Sequence, residues 1–201
     1  MTDAEGPSLI IRQVRPEDSL PLLRLRNAER ARPMFVNDGL VSQEAHEAWF
    51  AKSFPTMRDI WLVVEWDARL VARFQIEDWK PDVRKGEYGV AADTENGPLG
   101  LGTVLPVLAL GHAFLRLGAV EMIGRVLDIN TDMNRIMTRL GLSTDPAGTR
   151  LVQRPSGETL ELFEYRIPVD AWEDVRRRGL AMLPRALRMD VERALEAPVA
   201  E

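Results

Sequence analysis

The stretch of this chain best suited to chemistry is built from backbone rather than from reactive side chains. It is Thr94-Glu-Asn-Gly-Pro-Leu-Gly-Leu-Gly-Thr103, a glycine-rich turn that runs directly into a long apolar segment. Backbone amides at such a turn, added to the positive end of a helix dipole, form a cradle for an anion. A strand-like segment from Lys85 to Asp93 precedes it, so the layout is strand, glycine turn, helix. The spacing Gly97-x-x-Gly100-x-Gly102 departs from the dinucleotide fingerprint, and no Gly-Lys-Ser/Thr follows as in a nucleoside triphosphate loop. A glycine turn before a helix is equally an ordinary connection, so its surroundings have to decide. The chain has no cysteine, which removes disulfides, thiolate catalysis and cysteine zinc sites. His46 and His112 are its only histidines and lie far apart, so no metal site is expected.

The elements that must position this turn follow from periodicity and punctuation. Residues 9–14 read as a strand, and Pro16-Glu-Asp opens a helix running to about Arg30, with Leu20, Leu23 and Ala28 buried. Residues 32–39 form a loop, and Ser42 caps a helix over 43–54 with Ala45, Trp49 and His46 on one side. Residues 60–66 and 70–78 are strands joined by Asp67-Ala-Arg69; Leu70, Ala72, Phe74 and Ile76 alternate with Val71, Arg73, Gln75 and Glu77, predicting one wet face. A strand over 87–92, an all-round apolar helix over 103–117 with Pro106 in its first turn, and a strand over 120–127 follow. Asn130 caps a helix over 131–140, and strands at 151–154 and 158–167 precede C-terminal helices interrupted by Gly179 and Pro184. This order fits neither an all-parallel doubly wound sheet nor a barrel.

With 45% hydrophobic and 28% charged residues, the 201-residue chain has the composition of a globular domain. Its net charge of −5 argues against nucleic acid as a partner, and Arg176-Arg-Arg178 reads as the wet side of a helix beside Glu173 and Asp174. No apolar run approaches the roughly 18 residues that span a bilayer. The polar, acidic start is unlike a signal peptide, so no membrane partner and a cytoplasmic location are expected.

From Leu9 to Ile167 the chain resembles the GNAT superfamily of acetyl-CoA-dependent N-acetyltransferases. Three features in order carry the resemblance: Glu87-Tyr-Gly-Val-Ala91 followed by the turn ending Gly100-Leu-Gly-Thr103; Val126-Leu-Asp-Ile-Asn130; and Asn134-Arg-Ile-Met-Thr-Arg-Leu-Gly-Leu142. It implies a mixed, mostly antiparallel α+β sheet flanked by helices over residues 1–168, with a C-terminal helical extension over 169–201. That extension either covers the sheet or builds a homodimer contact. Leu25-Arg-Asn27, Met34 and Val41-Ser-Gln-Glu-Ala-His-Glu-Ala-Trp-Phe50 are similar to the pattern of GNAT enzymes that acetylate nucleotide-linked amino sugars, as in pseudaminic-acid biosynthesis, and more loosely to the ribosomal-protein acetyltransferases.

The resemblance implies acetyl-CoA as co-substrate and a small-molecule primary amine as acceptor. Gly97, Leu99, Gly100, Leu101, Gly102 and Thr103 would hold the pyrophosphate, Val90 and Ala91 the thioester, Asn130 the pantetheine and Arg135 the phosphates. Asn130 as a plain N-cap and Arg135 on a solvated helix face stand beside these roles. Direct attack by the amine needs a base; Glu87 is the candidate, against an exposed carboxylate paired with Lys85 or Arg84. His46 is a second candidate base or acceptor contact, against a helix histidine packed on Trp49 and Phe50. Arg26, Asn27, Met34 and Trp79 are the further acceptor candidates, Arg26 and Asn27 doubling as pins for the loop at Met34.

The chain also departs from the family. Gly97 replaces the usual Gln or Arg, Pro98 cannot donate an amide, and Met137 stands where many members place a tyrosine that protonates the thiolate. An acetyltransferase of protein N-termini or small amines, and a coenzyme A-binding protein without turnover, are the rival readings.

Overall fold

Asp67 and Ala68 both adopt positive φ, 51° and 57°, the two-residue turn whose twist matches that of a hairpin. This turn joins β2 (Trp61–Trp66) to β3 (Arg69–Lys80), and β4 (Lys85–Ala92) pairs antiparallel on the other side of β3. The computed structural model describes residues 9–57 and 60–199; the acidic N-terminal hexapeptide lies outside the described residues. Among them, β1 (Leu9–Gln13), β5 (Glu121–Leu127), β6 (Arg150–Gln153) and β7 (Thr159–Pro168) complete one sheet in the order β1-β2-β3-β4-β5-β7-β6. Only β4 and β5 are parallel neighbours; the other pairs are antiparallel. This is the mixed, mostly antiparallel sheet expected from the sequence.

Helices cover both faces. α1 (Ser19–Asn27) and α2 (Gln43–Ser53) lie on one, where Leu22, Phe50, Met57 and Val63 form an apolar cluster. α3 (Leu101–Gly111), α4 (Thr131–Arg139), α5 (Trp172–Ala181) and α6 (Arg185–Glu196) lie on the other, over Phe74, Ile76, Met122 and Ile167. α3 is apolar all round because it is sandwiched between β3–β4 and the pair α5–α6. The C-terminal helices therefore cover α3: Trp172, Val175, Leu187 and Val191 belong to the same buried cluster as the sheet.

Several local expectations fail for identifiable reasons. The first helix begins at Ser19, after a short 3-10 turn at Pro16–Asp18, and buries Leu22, Leu23 and Leu25 while Leu20 is exposed. That turn is fixed by Arg12, which bonds both Asp18 oxygens at 2.7 and 2.9 Å and Glu65 at 2.7 Å. α2 turns His46 and Phe50 inward, not Ala45 or Trp49. α3 starts two residues early, so Pro106 sits past the first turn and cannot donate to the Gly102 carbonyl. The helix is regular only to Gly111 and ends in a wider π-type turn over His112–Arg116. Gly179 lies inside α5, so Pro184 alone separates the last two helices. The face of β3 read as wet is covered: Arg73 and Gln75 are buried. Among the described residues no helix is long and apolar enough to cross a membrane.

Candidate active site

Parallel strands β4 and β5 pair only from Lys85–Glu121 to Tyr88–Gly124, and beyond that the ladder stops. The Asp93 amide donates to the Val71 carbonyl at 2.7 Å, which fixes the alternation of the β3–β4 ladder. Ala91 and Gly89 therefore bond to β3, whereas Val90 and Ala92 turn their peptide groups toward β5, where no strand partner meets them. The opening thus presents unpaired backbone on one edge, suited to hold an extended ligand chain and a developing oxyanion. The Val90 amide is open on this edge; the Ala91 amide is not, because β3 takes it.

The glycine turn adjoins this opening. Gly100 has φ of 98°, a left-handed conformation that glycine adopts without strain, and it caps α3. The Leu99, Gly100 and Gly102 amides have no partner among the described residues, whereas Leu101 donates to Pro98 and Thr103 to Gly100. Gly97 is excluded as an anion contact: its amide closes a turn onto the Asp93 carbonyl, and a Cβ there would lie 2.4 Å from Leu101 Cδ2. Three free amides at a helix N-terminus fit a pyrophosphate, so the turn can receive coenzyme A with fewer donors than the sequence suggested.

On the α1–α2 face, polar groups gather between two apolar clusters. Glu87 is ion-paired, but with Arg125 of β5 rather than with Lys85 or Arg84. Arg125 also bonds Glu164 Oε2 at 3.0 and 3.2 Å. Only Oε2 of Glu87 is held this way, which leaves Oε1 to meet an acceptor. Beside it, the Gln75 amide nitrogen donates to Glu77 at 3.0 Å and lies where a Cβ on residue 89 would stand, 2.7 Å away, which is why position 89 is glycine. One step further along β3, the Arg73 guanidinium stacks on Trp61 at 4.7 Å and is 7% exposed. Burial pushes its pKa down to about 10, with Glu77 opposing the fall and Arg26 adding to it. Arg26 stacks on Phe35 at 4.4 Å and donates to the Asn37 carbonyl, so it faces this site and pins the loop at once.

The remaining candidates are placed elsewhere. His46 is buried between α1 and α2 with Nε2 2.7 Å from the Ser19 carbonyl, which makes that nitrogen a donor and gives the residue a structural partner. Burial lowers its pKa. Asn27 clasps Val41 with two hydrogen bonds, 2.8 and 3.0 Å, and so closes the loop that carries Met34, which is itself exposed. Trp79 packs with the main core beside Gly86, on the opposite face and at the paired end of β4, away from the opening. Asn130 accepts from the Met133 amide as an N-cap, and Arg135 pairs with Asp132 on an exposed helix face. Arg176, Arg177 and Arg178 pair with Glu173 and Asp174, as the wet-face reading requires.

Arg73, Gln75, Arg125 and the side chain of Tyr88 lie beside the candidate residues, and no local pattern in the sequence singled them out. The Tyr88 hydroxyl lies 3.5 Å from the sulfur of fully buried Met137. A Cβ on residue 124 would sit 2.8 Å from that hydroxyl, so Gly124 makes the space for it. A lone glycine inside the 120–127 strand was the available signal for such a close approach. A hydroxyl therefore does occupy the neighbourhood of Met137, supplied by β4 rather than α4.

Comparisons agree with this geometry. The sequence matches the acetyltransferase (GNAT) domain family over residues 8–143, more than half of the chain. No curated protein sequence matches it. Spermidine N-acetyltransferase from Vibrio cholerae, solved with CoA and spermine, superposes with a TM-score of 0.72 at 16% identity, over 83% of this chain and 98% of that one. A Salmonella typhimurium protein described as an acetyltransferase and solved with acetyl-CoA gives 0.63 at 20% identity, covering 81% and 95%. Ribosomal-protein-alanine N-acetyltransferase from Brucella melitensis gives 0.63 at 20% identity, covering 79% and 99%. At such identities the likeness is one of fold. With the family match over strand, turn and helix, the chain belongs to the GNAT acetyltransferases, which use acetyl-CoA as co-substrate.

Proposed function

We propose that this GNAT enzyme acetylates the primary amine of a nucleotide-linked amino sugar. The observation that carries the amine chemistry is the opened β4–β5 ladder, with Val90 on one side and the half-held carboxylate of Glu87 on the acceptor face. When bound, acetyl-CoA supplies a thioester carbonyl that the amine attacks directly, forming the C–N bond as the C–S bond breaks. The amides of Leu99, Gly100 and Gly102 hold the pyrophosphate, and the Val90 N–H stabilises the charge that develops on the carbonyl oxygen. Glu87 accepts the ammonium proton through Oε1, while Arg125 keeps the carboxylate oriented. To donate a hydrogen bond to the departing sulfur, Tyr88 turns its O–H away from Met137 Sδ, where it rests in this structure; burial raises its pKa, so the donor proton is retained at neutral pH. The sugar part of this reading rests on the similarity of the segment from Arg26 to Phe50.

Thiol release is a clean assay here because the chain has no cysteine to react with the reagent. With acetyl-CoA, a UDP-linked amino sugar is expected to turn over and N-terminal peptides are not. Acetylation of peptides alone would sink the sugar reading, and no binding of acetyl-CoA by calorimetry would sink the enzyme reading with it.

A further inference from the structure

Three guanidinium groups on the acceptor face have buried nitrogens with no hydrogen-bond partner: Arg73 Nη1, Arg26 Nη1 and Arg32 Nε. Among the described residues, none of the three forms an ion pair. Arg73 differs in this from Arg12 and Arg154, which are buried to a similar degree but sit on carboxylates. Arg26 disfavours the charge on Arg73 and Arg32 that on Arg26, with Glu77 and Asp38 opposing these effects from a distance too great for an ion pair. A cation held out of water without an acceptor is a strong destabiliser, and like charges beside it make matters worse. Arg26 already donates to the Asn37 carbonyl, but no described residue offers an acceptor to Arg73 Nη1, which leaves it open to one from outside the chain. Two residues along the same face of β3, the Gln75 Oε1 is also buried and unpartnered, and it lacks a donor rather than an acceptor.

We infer that Arg73, with Arg26 and Arg32, forms an anion subsite that holds a phosphate or carboxylate of the acceptor, while Gln75 takes a hydroxyl or amine N–H of the same molecule. The subsite rests on the amine-acetyltransferase reading and adds a substrate property to it. About 13 Å of strand separates Arg73 from the Glu77–Glu87 pair, four residues on. An acceptor whose anionic group and amine are several bonds apart, such as an amino sugar carrying a phosphate, can reach both ends. Arg73 is planar and stacked on Trp61, which fixes its fork for two oxygens at once. A polycation such as the spermine bound by the Vibrio cholerae neighbour would meet repulsion from the same three groups.

The test uses full-length protein saturated with coenzyme A, so that the glycine turn is filled before any other anion is added. Calorimetric titration with UDP is expected to show binding that weakens about tenfold or more in Arg73→Leu. Without UDP, Arg73→Leu is expected to melt at the same or a higher temperature, because an unpaired buried cation has been removed. Equal UDP affinity in the two proteins overturns the subsite, as does a lowered melting temperature with unchanged affinity, which marks a purely structural arginine. Should Arg73→Leu fail to fold, Arg26→Gln carries the same comparison. Kinetic arms separate the anion sources: a UDP-linked amino sugar, the free amino sugar and an amino sugar bearing a carboxylate. Preference for either anionic acceptor over the neutral one supports the subsite and identifies which oxygen it takes; equal kcat/KM for the neutral sugar, or best turnover of spermidine, overturns it. Failure of the protein to bind coenzyme A would break the acetyltransferase reading instead, so the two failures are distinguishable.

Discussion

Exchanging Glu87 for Gln separates proton transfer from structure, because the two effects differ widely in size. The ion pair with Arg125 joins side chains that are 21% and 22% exposed, and Arg125 keeps Glu164, which is 3% exposed, as a second partner. Gln can still accept a hydrogen bond from Arg125, so the stability cost should be about 1 kcal/mol. For a chain of this length that is a drop of about 2–4 °C in Tm. Loss of a positioned base, in contrast, lowers kcat/KM by about 10²–10⁴, equivalent to roughly 3–5 kcal/mol on the barrier. The residual rate should then follow the fraction of acceptor already present as free amine, rising about tenfold per pH unit below the amine pKa. Thiol release from acetyl-CoA at several pH values, beside a melting curve of each protein, reads both quantities. A Gln variant with wild-type kcat/KM and an unchanged pH profile would refute the role of Glu87. So would a loss that tracks Tm alone.

Four further outcomes follow from the same geometry. Gly100→Ala forces a side chain into φ of 98° and places its Cβ 3.2 Å from Leu183, so acetyl-CoA affinity should fall and stability drop by about 1–2 kcal/mol, read by calorimetry and melting. Asn27→Ala removes both bonds to Val41 and should cost about 1–3 kcal/mol while raising KM for the amine more than KM for acetyl-CoA. Tyr88→Phe keeps the packing on Met137 but loses the donor; kcat should fall about tenfold with Tm nearly unchanged. His46 has its pKa lowered below 6.5 by burial, so the unfolded chain binds the proton more readily. Its contribution to stability is complete above that value and is lost as pH falls through it toward the folded pKa, and melts of His46→Gln at about pH 7.5 and 5 should show a shallower acid loss than wild type.

The sequence carried the order of elements because each depends on local signals: caps at Ser42 and Asn130, glycines at turns, and apolar periodicity in α3. It also drew attention to the glycine turn and Glu87, since both sit in a contiguous motif. What it could not carry was the partner of each polar residue. Arg125 is 38 positions from Glu87, and only the parallel pairing of β4 with β5 brings them together. Likewise Arg73 and Gln75 alternate with apolar residues exactly as exposed strand residues do, and nothing local reveals that α1 and the following loop cover them. His46 stood between two readings for a related reason. A histidine beside two aromatics suits an active site or a helix interface equally, and only the Ser19 carbonyl decides.

The sheet divides the labour between its faces, and the break after Tyr88–Gly124 is where they communicate. On the α3 side the open polar groups are backbone amides, at Leu99, Gly100 and Gly102, and the adjoining side chains are apolar and support α5 and α6. On the α1–α2 side there is no spare backbone, because Gly89 and Ala91 bond to β3, and recognition has to come from long side chains. That requirement accounts for the charged groups at the centre of β3, β4 and β5. Glu87 and Glu164 share the guanidinium of Arg125, and Glu164 also pairs with Arg166, so these groups all have partners of opposite sign. Arg73 and Arg26 do not, and a site left electrostatically incomplete on one side only selects an acceptor with opposite charge at that end.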